Sequence, residues 1–247
     1  MSPDDLKTLT DKLICEAVAH YWGTLTTQSG RQNSDKADVG NRTAVTGGGQ
    51  MDGFANLFAT VAMRMGIPVV DIYMRSRVEL PGYYRPTKRW DLVIVKDGHL
   101  LAAIELKSQA GPSFGNNFNN RTEEVIGSAV DLWTAFAKGA YTPSRIRPWV
   151  GWLMLLEECA GSTEPVTLKC PHFAAFPEFE NSSYADRYGI LVNKLKQEGL
   201  YTETALLLSN RVDGRQGVYR SAEGRETVAS MVSQFARHIQ YVVANGC

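Results

Sequence analysis

The chain has 247 residues, 44% of them hydrophobic, which is enough for a sizeable core in one large domain with elaborations. Lys plus Arg and Asp plus Glu each number 26, so the net charge is zero, which excludes a uniformly basic nucleic-acid coat and leaves only local patches for a polyanion. No signal-like or membrane-length apolar run occurs, and the four cysteines at 15, 159, 170 and 247 show no CxxC spacing, so a soluble cytoplasmic protein with no membrane partner is expected.

Ser2-Pro3-Asp4-Asp5 supplies an N-cap, a proline at the first helical position and acids in the first turn. Leu6, Leu9, Leu13, Ile14, Ala17 and Val18 then recur at helical spacing, predicting a helix over residues 2–21. Residues 24–50, dominated by Thr, Ser, Gly, Asn and Gln, read as a long polar loop. Helical periodicity returns over 50–65 through Phe54, Leu57, Phe58, Val61 and Met65. Asp52 at its start is read as a capping, dipole-favouring residue, with an extra acid for a metal site as the alternative. Residues 67–74 read as a strand. Between 75 and 89 stand Arg75, Arg77, Arg85, Lys88 and Arg89 against the single acid Glu79. They form either solvated surface or a patch that holds phosphates.

Residues 89–109 organise the rest. Two apolar runs, 92–95 and 100–104, flank Lys96-Asp97-Gly98, the pattern of a buried β-hairpin. A three-residue loop pairs Val95 with His99 and sets Asp91 opposite Ala103, so that Asp91, Ala103, Glu105 and Lys107 share one face. A two-residue loop slips the register by one and separates Asp91 from Glu105. Charges in an apolar hairpin are costly unless they pair or hold a metal. The first register makes Asp91 and Glu105 candidate Mg²⁺ ligands, since hard carboxylate oxygens suit that ion. Lys107 beside them would orient a water or neutralise charge developing on a phosphate. Asp91, Glu105 and Lys107 are thus the candidate catalytic residues of a phosphodiester hydrolase. Their spacing, D-x13-E-x-K, resembles the signature of the PD-(D/E)XK nuclease superfamily, with Trp90 in place of the proline before the acid.

Residues 108–121 then read as an asparagine-rich loop containing Asn117, Asn119, Asn120 and Arg121. Asn can read adenine, Arg can read guanine, and both contact phosphate, so these four are candidate DNA-binding residues; turn formation is the alternative reading of the asparagines. A helix is predicted over 122–138, with Val125, Ile126, Ala129, Leu132, Trp133 and Phe136 on its apolar face.

Asp91, Glu105-Leu106-Lys107-Ser108-Gln109 and the stretch SFGNNFNNRTEEVIGSAVDLWTA over 113–135 resemble the XhoI family of type II restriction endonucleases, over essentially the whole chain. The resemblance implies an α/β fold with a PD-(D/E)XK restriction-endonuclease-like core, a central mixed sheet flanked by helices. It implies a single endonuclease domain over 1–247 with its catalytic core at about 50–156. It also implies a homodimer that cuts double-stranded DNA at the palindrome CTCGAG with Mg²⁺, leaving 5′-phosphate ends, beside a host DNA methyltransferase as functional partner. Catalytic acid, acid and lysine map to Asp91, Glu105 and Lys107.

Beyond, 149–156 reads as a buried strand closing a βαβ-like unit, and 184–199 as a helix ending at glycine. Residues 201–208 are ambiguous between helix and strand. Residues 210–225, with Arg211, Arg215, Arg220 and Arg225, form either a second DNA contact or a plain surface loop. A closing helix follows over 225–243. Two other functional readings stay open: a structure-directed repair or junction-resolving nuclease, and a catalytically dead DNA-binding protein, which the intact Asp91, Glu105 and Lys107 argue against.

Overall fold

The computed structural model describes residues 2–32, 49–144, 146–221 and 227–246, the side chains of 26–32 excepted. Its centre is a six-stranded sheet of order β1-β4-β5-β6-β7-β8, built from β1 (Ile72–Met74), β4 (Leu92–Lys96), β5 (His99–Gln109), β6 (Trp149–Glu157), β7 (Glu203–Ser209) and β8 (Arg220–Ser221). β5, β6 and β7 run parallel, while β1, β4 and β8 are antiparallel to their neighbours. β2 (Glu79–Pro81) and β3 (Thr87–Arg89) form a separate two-stranded ribbon. This is the expected mixed α/β architecture.

Helices cover both sheet faces. On one lie α1 (Pro3–Gln32), α2 (Asp52–Arg64) and α5 (Val228–Asn245); on the other lie α3 (Phe114–Ala137), α4 (Tyr184–Gln197) and the β2–β3 ribbon. Every residue of β6 and β7 is buried, the condition under which parallel strands lose polar alternation. The leucine-rich run resolves accordingly as strand: Ala205 and Leu207 enter one core, Leu206 and Leu208 the other. Truncating any of these leucines to alanine costs about 2–5 kcal/mol. Helix starts follow their caps: Ser183 and Asp186 close a capping box before α4, and Thr227 accepts the Ser230 N–H at 3.0 Å before α5.

Several sequence expectations are corrected. α1 continues through residue 32, so 24–32 are helical; buried Trp22, whose indole N–H reaches Ser209 Oγ at 2.9 Å, carries the helix past Tyr21. Most of the expected polar loop, residues 33–48, lies outside the described residues. The strand expected over 67–74 shrinks to β1, because Val69–Asp71 form a 3₁₀ turn after Pro68 that leaves Val69 and Val70 exposed.

The hairpin register also differs. Asp97 and Gly98 alone form the turn, with φ of 50° and 80°, as a two-residue turn that matches strand twist requires; Lys96 pairs with His99. A bulge between Ile94 and Val95 then shifts the ladder by one, so that Ile94 faces Ala102 and Leu92 faces Ile104. Asp91 therefore lies beside Glu105, not opposite Ala103. The shorter turn and the bulge each move the register by one residue, and together they keep both carboxylates on one face.

Candidate active site

Asp91 sits just ahead of β4, where its N–H donates to Ile104 O at 3.1 Å and its Oδ2 accepts the Leu106 N–H at 2.7 Å. Both bonds grip the backbone on either side of Glu105. Glu105 is 2% exposed in mid-β5, and its Oε1 accepts Lys107 Nζ at 2.9 Å and Lys88 Nζ at 2.8 Å. Its Oε2 is buried with no hydrogen-bond partner. The expected trio of Asp91, Glu105 and Lys107 thus meets in space.

The charge states follow from the surroundings. Burial pushes the Glu105 carboxyl up, but the Lys107 and Lys88 charges outweigh it and hold the group below the ordinary carboxylate value. Burial likewise disfavours the Lys107 ammonium, yet Glu105 and then Asp91 raise it above its ordinary value. At Asp91 burial wins: the carboxyl is raised despite the Leu106 N–H and the Lys107 charge. Tyr201, whose hydroxyl donates to Val125 O at 3.1 Å, is held well above the usual phenol range by burial and by the nearby Glu105 charge.

Asp91 and Lys107 border a cleft of about 510 Å³ whose lining also includes Asp52, Arg75, Arg89 and Arg121. The four cations in that set outnumber the two acids, and a cationic concavity attracts a polyanion. Asp52 does not cap α2; the N-cap is Met51 with no side-chain bond, and Asp52 is the first helical residue, paired with Arg75 across the cleft. Of the other residues in the basic stretch, Arg89 pairs with Glu79 at 2.6 Å and Arg85 with Asp131 at 2.8 Å.

A divalent cation fits this donor set. Asp91 is a half-buried carboxylate that burial raises above its ordinary value, and Glu105 Oε2 is a buried acceptor with nothing to accept. Two carboxylates, with water and phosphate oxygens completing the shell, is the manner in which Mg²⁺ binds. Among the described residues no group of three or more His, Cys, Asp or Glu is placed to hold a metal.

Asn117, Asn119, Asn120 and Arg121 are not in a loop. They belong to α3, which begins at Phe114. Phe114 stacks on Tyr184 at 6.1 Å and Phe118 meets Tyr188 edge-on at 5.0 Å. Their four-residue spacing continues into Val125, Ala129 and Leu132, a helical stripe that outweighs the poor helix propensity of the asparagines. Arg121 alone of the four lines the cleft, with a side chain paired to Glu124 at 2.5 Å and a buried Nε that has no partner. Asn119 Nδ2 donates to Glu123 at 2.8 Å, Asn120 is exposed and Asn117 half-buried. In the second arginine cluster Arg211 pairs with Glu157 and Arg220 with Glu158, while Arg225 lies outside the described residues. Sequence reasoning placed Lys88 in a basic stretch, as surface or phosphate contact, and missed its pairing with Glu105. No spacing rule ties it to Glu105, because the contact depends on how the β2–β3 ribbon packs on the sheet.

The family described as restriction endonuclease XhoI matches residues 30–221, a span that contains the whole acid–acid–lysine cluster. Type II restriction enzyme BstVI of Geobacillus stearothermophilus is 50% identical over 195 residues, covering 77% of this chain and 86% of the relative. Type II restriction enzyme XhoI of Xanthomonas vasicola is 40% identical over 200 residues, 80% of each chain. Type II restriction enzyme AbrI of Azospirillum brasilense is 47% identical over 160 residues, 64% of this chain and 71% of the relative. No solved structure matches this chain. This chain belongs to the XhoI restriction endonuclease family.

Proposed function

We propose that this restriction endonuclease hydrolyses double-stranded DNA at the palindrome CTCGAG, using Mg²⁺ and leaving 5′-phosphate ends. The observation that supports this reading best is the meeting of Asp91, Glu105 and Lys107 beside a cationic cleft. Asp91 and Glu105 would hold the metal. When bound, a metal there lowers the pKa of a coordinated water and offsets charge on the phosphate. Lys107 acts on the same side, orienting the attacking water or stabilising the developing phosphate charge. Arg121, reaching into the cleft, contacts the DNA backbone, and Asn117, Asn119 and Asn120 extend that contact along the first turns of α3.

A palindromic site calls for a two-fold symmetric reader, so the working form is a homodimer. The whole chain acts as one endonuclease domain with its catalytic core at about residues 50–156. The host cytoplasm holds a methyltransferase that modifies the same sequence, a partner in function that need not touch this chain. Among the described residues no helix is long and apolar enough to cross a membrane.

The test is digestion of a fully sequenced plasmid with purified protein and Mg²⁺, followed by mapping of the ends. Discrete 5′-phosphate ends at CTCGAG are expected. Ends at another sequence would remove the assigned specificity, and cutting that follows branches or lesions would make this a structure-directed nuclease. No cutting with Mg²⁺ or Mn²⁺ would leave a DNA-binding protein with a dead site.

A further inference from the structure

Two ammonium groups converge on one oxygen of the buried catalytic glutamate. Lys107 comes from the same strand, two residues on, and lies on the cleft wall. Lys88 comes from a different sheet, the β2–β3 ribbon, and its side chain is 12% exposed against 26% for Lys107. The Lys88 ammonium also lies 4.8 Å from the centre of the Trp90 ring, and Trp90 is itself buried. A Lys held this way by a carboxylate and an aromatic face has little freedom to leave.

One lysine cannot serve two masters at once. If Lys107 were the sole partner of Glu105 Oε1, turning its ammonium toward a phosphate would leave that buried oxygen without a hydrogen bond, a costly change. We propose that Lys88 is a positioning residue of the site: it holds Glu105 through Oε1, leaving Lys107 able to turn to the scissile phosphate. Lys88 thereby makes the β2–β3 ribbon part of the catalytic apparatus, since the strand that carries it is anchored to the acid that the reaction needs. The role assigned to Lys107 rests on the nuclease reading above; the sharing of one oxygen by two lysines does not.

Two sets of measurements on wild type, Lys88→Met, Lys107→Met and the double variant test this. The first is urea unfolding of the metal-free proteins. Either remaining lysine still pairs with Glu105, so each single variant loses little stability and the double variant loses more than the sum. Additive losses would mean that the lysines do not share the acid, and would overturn the proposal. The second set is single-turnover cleavage at saturating DNA with Mg²⁺, beside DNA affinity measured with Ca²⁺. Lys88→Met should cut about 10- to 100-fold more slowly, the value of one hydrogen bond to a charged group, with DNA affinity within about 3-fold of wild type. Lys88→Arg, which keeps a charged donor for Oε1, should recover most of the rate, whereas Lys107→Arg should not.

A Lys88→Met enzyme that cuts at the wild-type rate would overturn the proposal. So would one whose DNA affinity falls as far as its rate, because Lys88 would then be a phosphate contact. If Lys88→Met does not fold, Lys88→Gln, which keeps an uncharged donor, carries the same comparisons. A wild-type protein that cuts no DNA sinks the nuclease reading alone, and the unfolding cycle still decides whether Lys88 holds Glu105.

Discussion

Asp91 grips the backbone on both sides of Glu105, through its own N–H to Ile104 O at 3.1 Å and through its carboxylate from the Leu106 N–H at 2.7 Å. One carboxylate therefore fixes the strand segment that presents the other. Asp91→Asn keeps an oxygen for the Leu106 N–H while removing the charge. It should retain the fold and most DNA affinity but lose cleavage by about 100-fold or more. Asp91→Ala should lose about 1 kcal/mol of stability in addition. Cleavage assays paired with thermal unfolding separate the two effects, and an Asp91→Asn enzyme with normal turnover would remove this carboxylate from the mechanism.

Arg121 and the asparagines near it separate by position on α3. Arg121 lines the cleft, whereas Asn119 is engaged by Glu123 and Asn120 is exposed. Arg121→Met should weaken DNA binding and lower the slope of log affinity against log salt by about one unit, the signature of one lost phosphate contact. Asn120→Ala should leave that slope unchanged. Salt titrations of binding in Ca²⁺ read both, and an unchanged slope for Arg121→Met would take it off the backbone.

The tip of the β2–β3 ribbon depends on Asp131 of α3. Its carboxylate accepts the N–H groups of Tyr83 and Tyr84, each at 2.7 Å, and Arg85 Nε at 2.8 Å. Asp131→Ala should cost about 2–3 kcal/mol in urea unfolding. Gly82→Ala strikes the same turn, because a Cβ there would stand 2.3 Å from Asp131 Oδ2 and 2.7 Å from Arg85 O. Burial raises the Asp131 carboxyl, but the three donors outweigh it and the net value lies below the ordinary 3.8. A depressed acid contributes stability above its unfolded value and loses it as pH falls through the folded one. Wild type should therefore lose stability below about pH 4 faster than Asp131→Asn.

His238 of α5 carries a pH dependence in a different window. Its Nε2 meets Leu101 O at 3.1 Å, and burial holds the imidazole below its ordinary value of 6.5 despite that bond. The folded protein thus takes up this proton less readily than the unfolded chain, so stability falls as pH drops through about 6.5. His238→Gln, with a donor for Leu101 O and no titration, should flatten that part of the stability curve. An unchanged curve would show that His238 does not contribute to it.

Much of this was legible in the sequence, for identifiable reasons. The hairpin strands, β6, α2 and α5 wrote their apolar patterns plainly, and three ionisable residues in an apolar hairpin announced a site, whereas the leucine run of β7 fitted helix and strand alike. The start of α3 was hidden because asparagines with weak helix propensity sit between Phe114 and Phe118, and only tertiary contacts with Tyr184 and Tyr188 decide the matter. Val69 and Val70 have the composition of a strand, but Pro68 opens a 3₁₀ turn instead. Lys88 was legible only as one of a basic stretch, and its contact with Glu105 was not, because that partner lies on another sheet.

The two-residue turn at Asp97-Gly98 and the bulge at Ile94/Val95 constrain how this hairpin can change. A single-residue deletion in β4 that left the bulge in place would set Trp90 beside Glu105 and turn Asp91 into the opposite core. A second compensating insertion or deletion would restore it. Length changes in this hairpin are therefore tolerated in pairs, or singly where the residue removed is Leu101, the unpaired one at the bulge. Relatives or designed variants that differ here by an odd number of residues have lost the paired acids, lost this bulge or gained another elsewhere in the ladder.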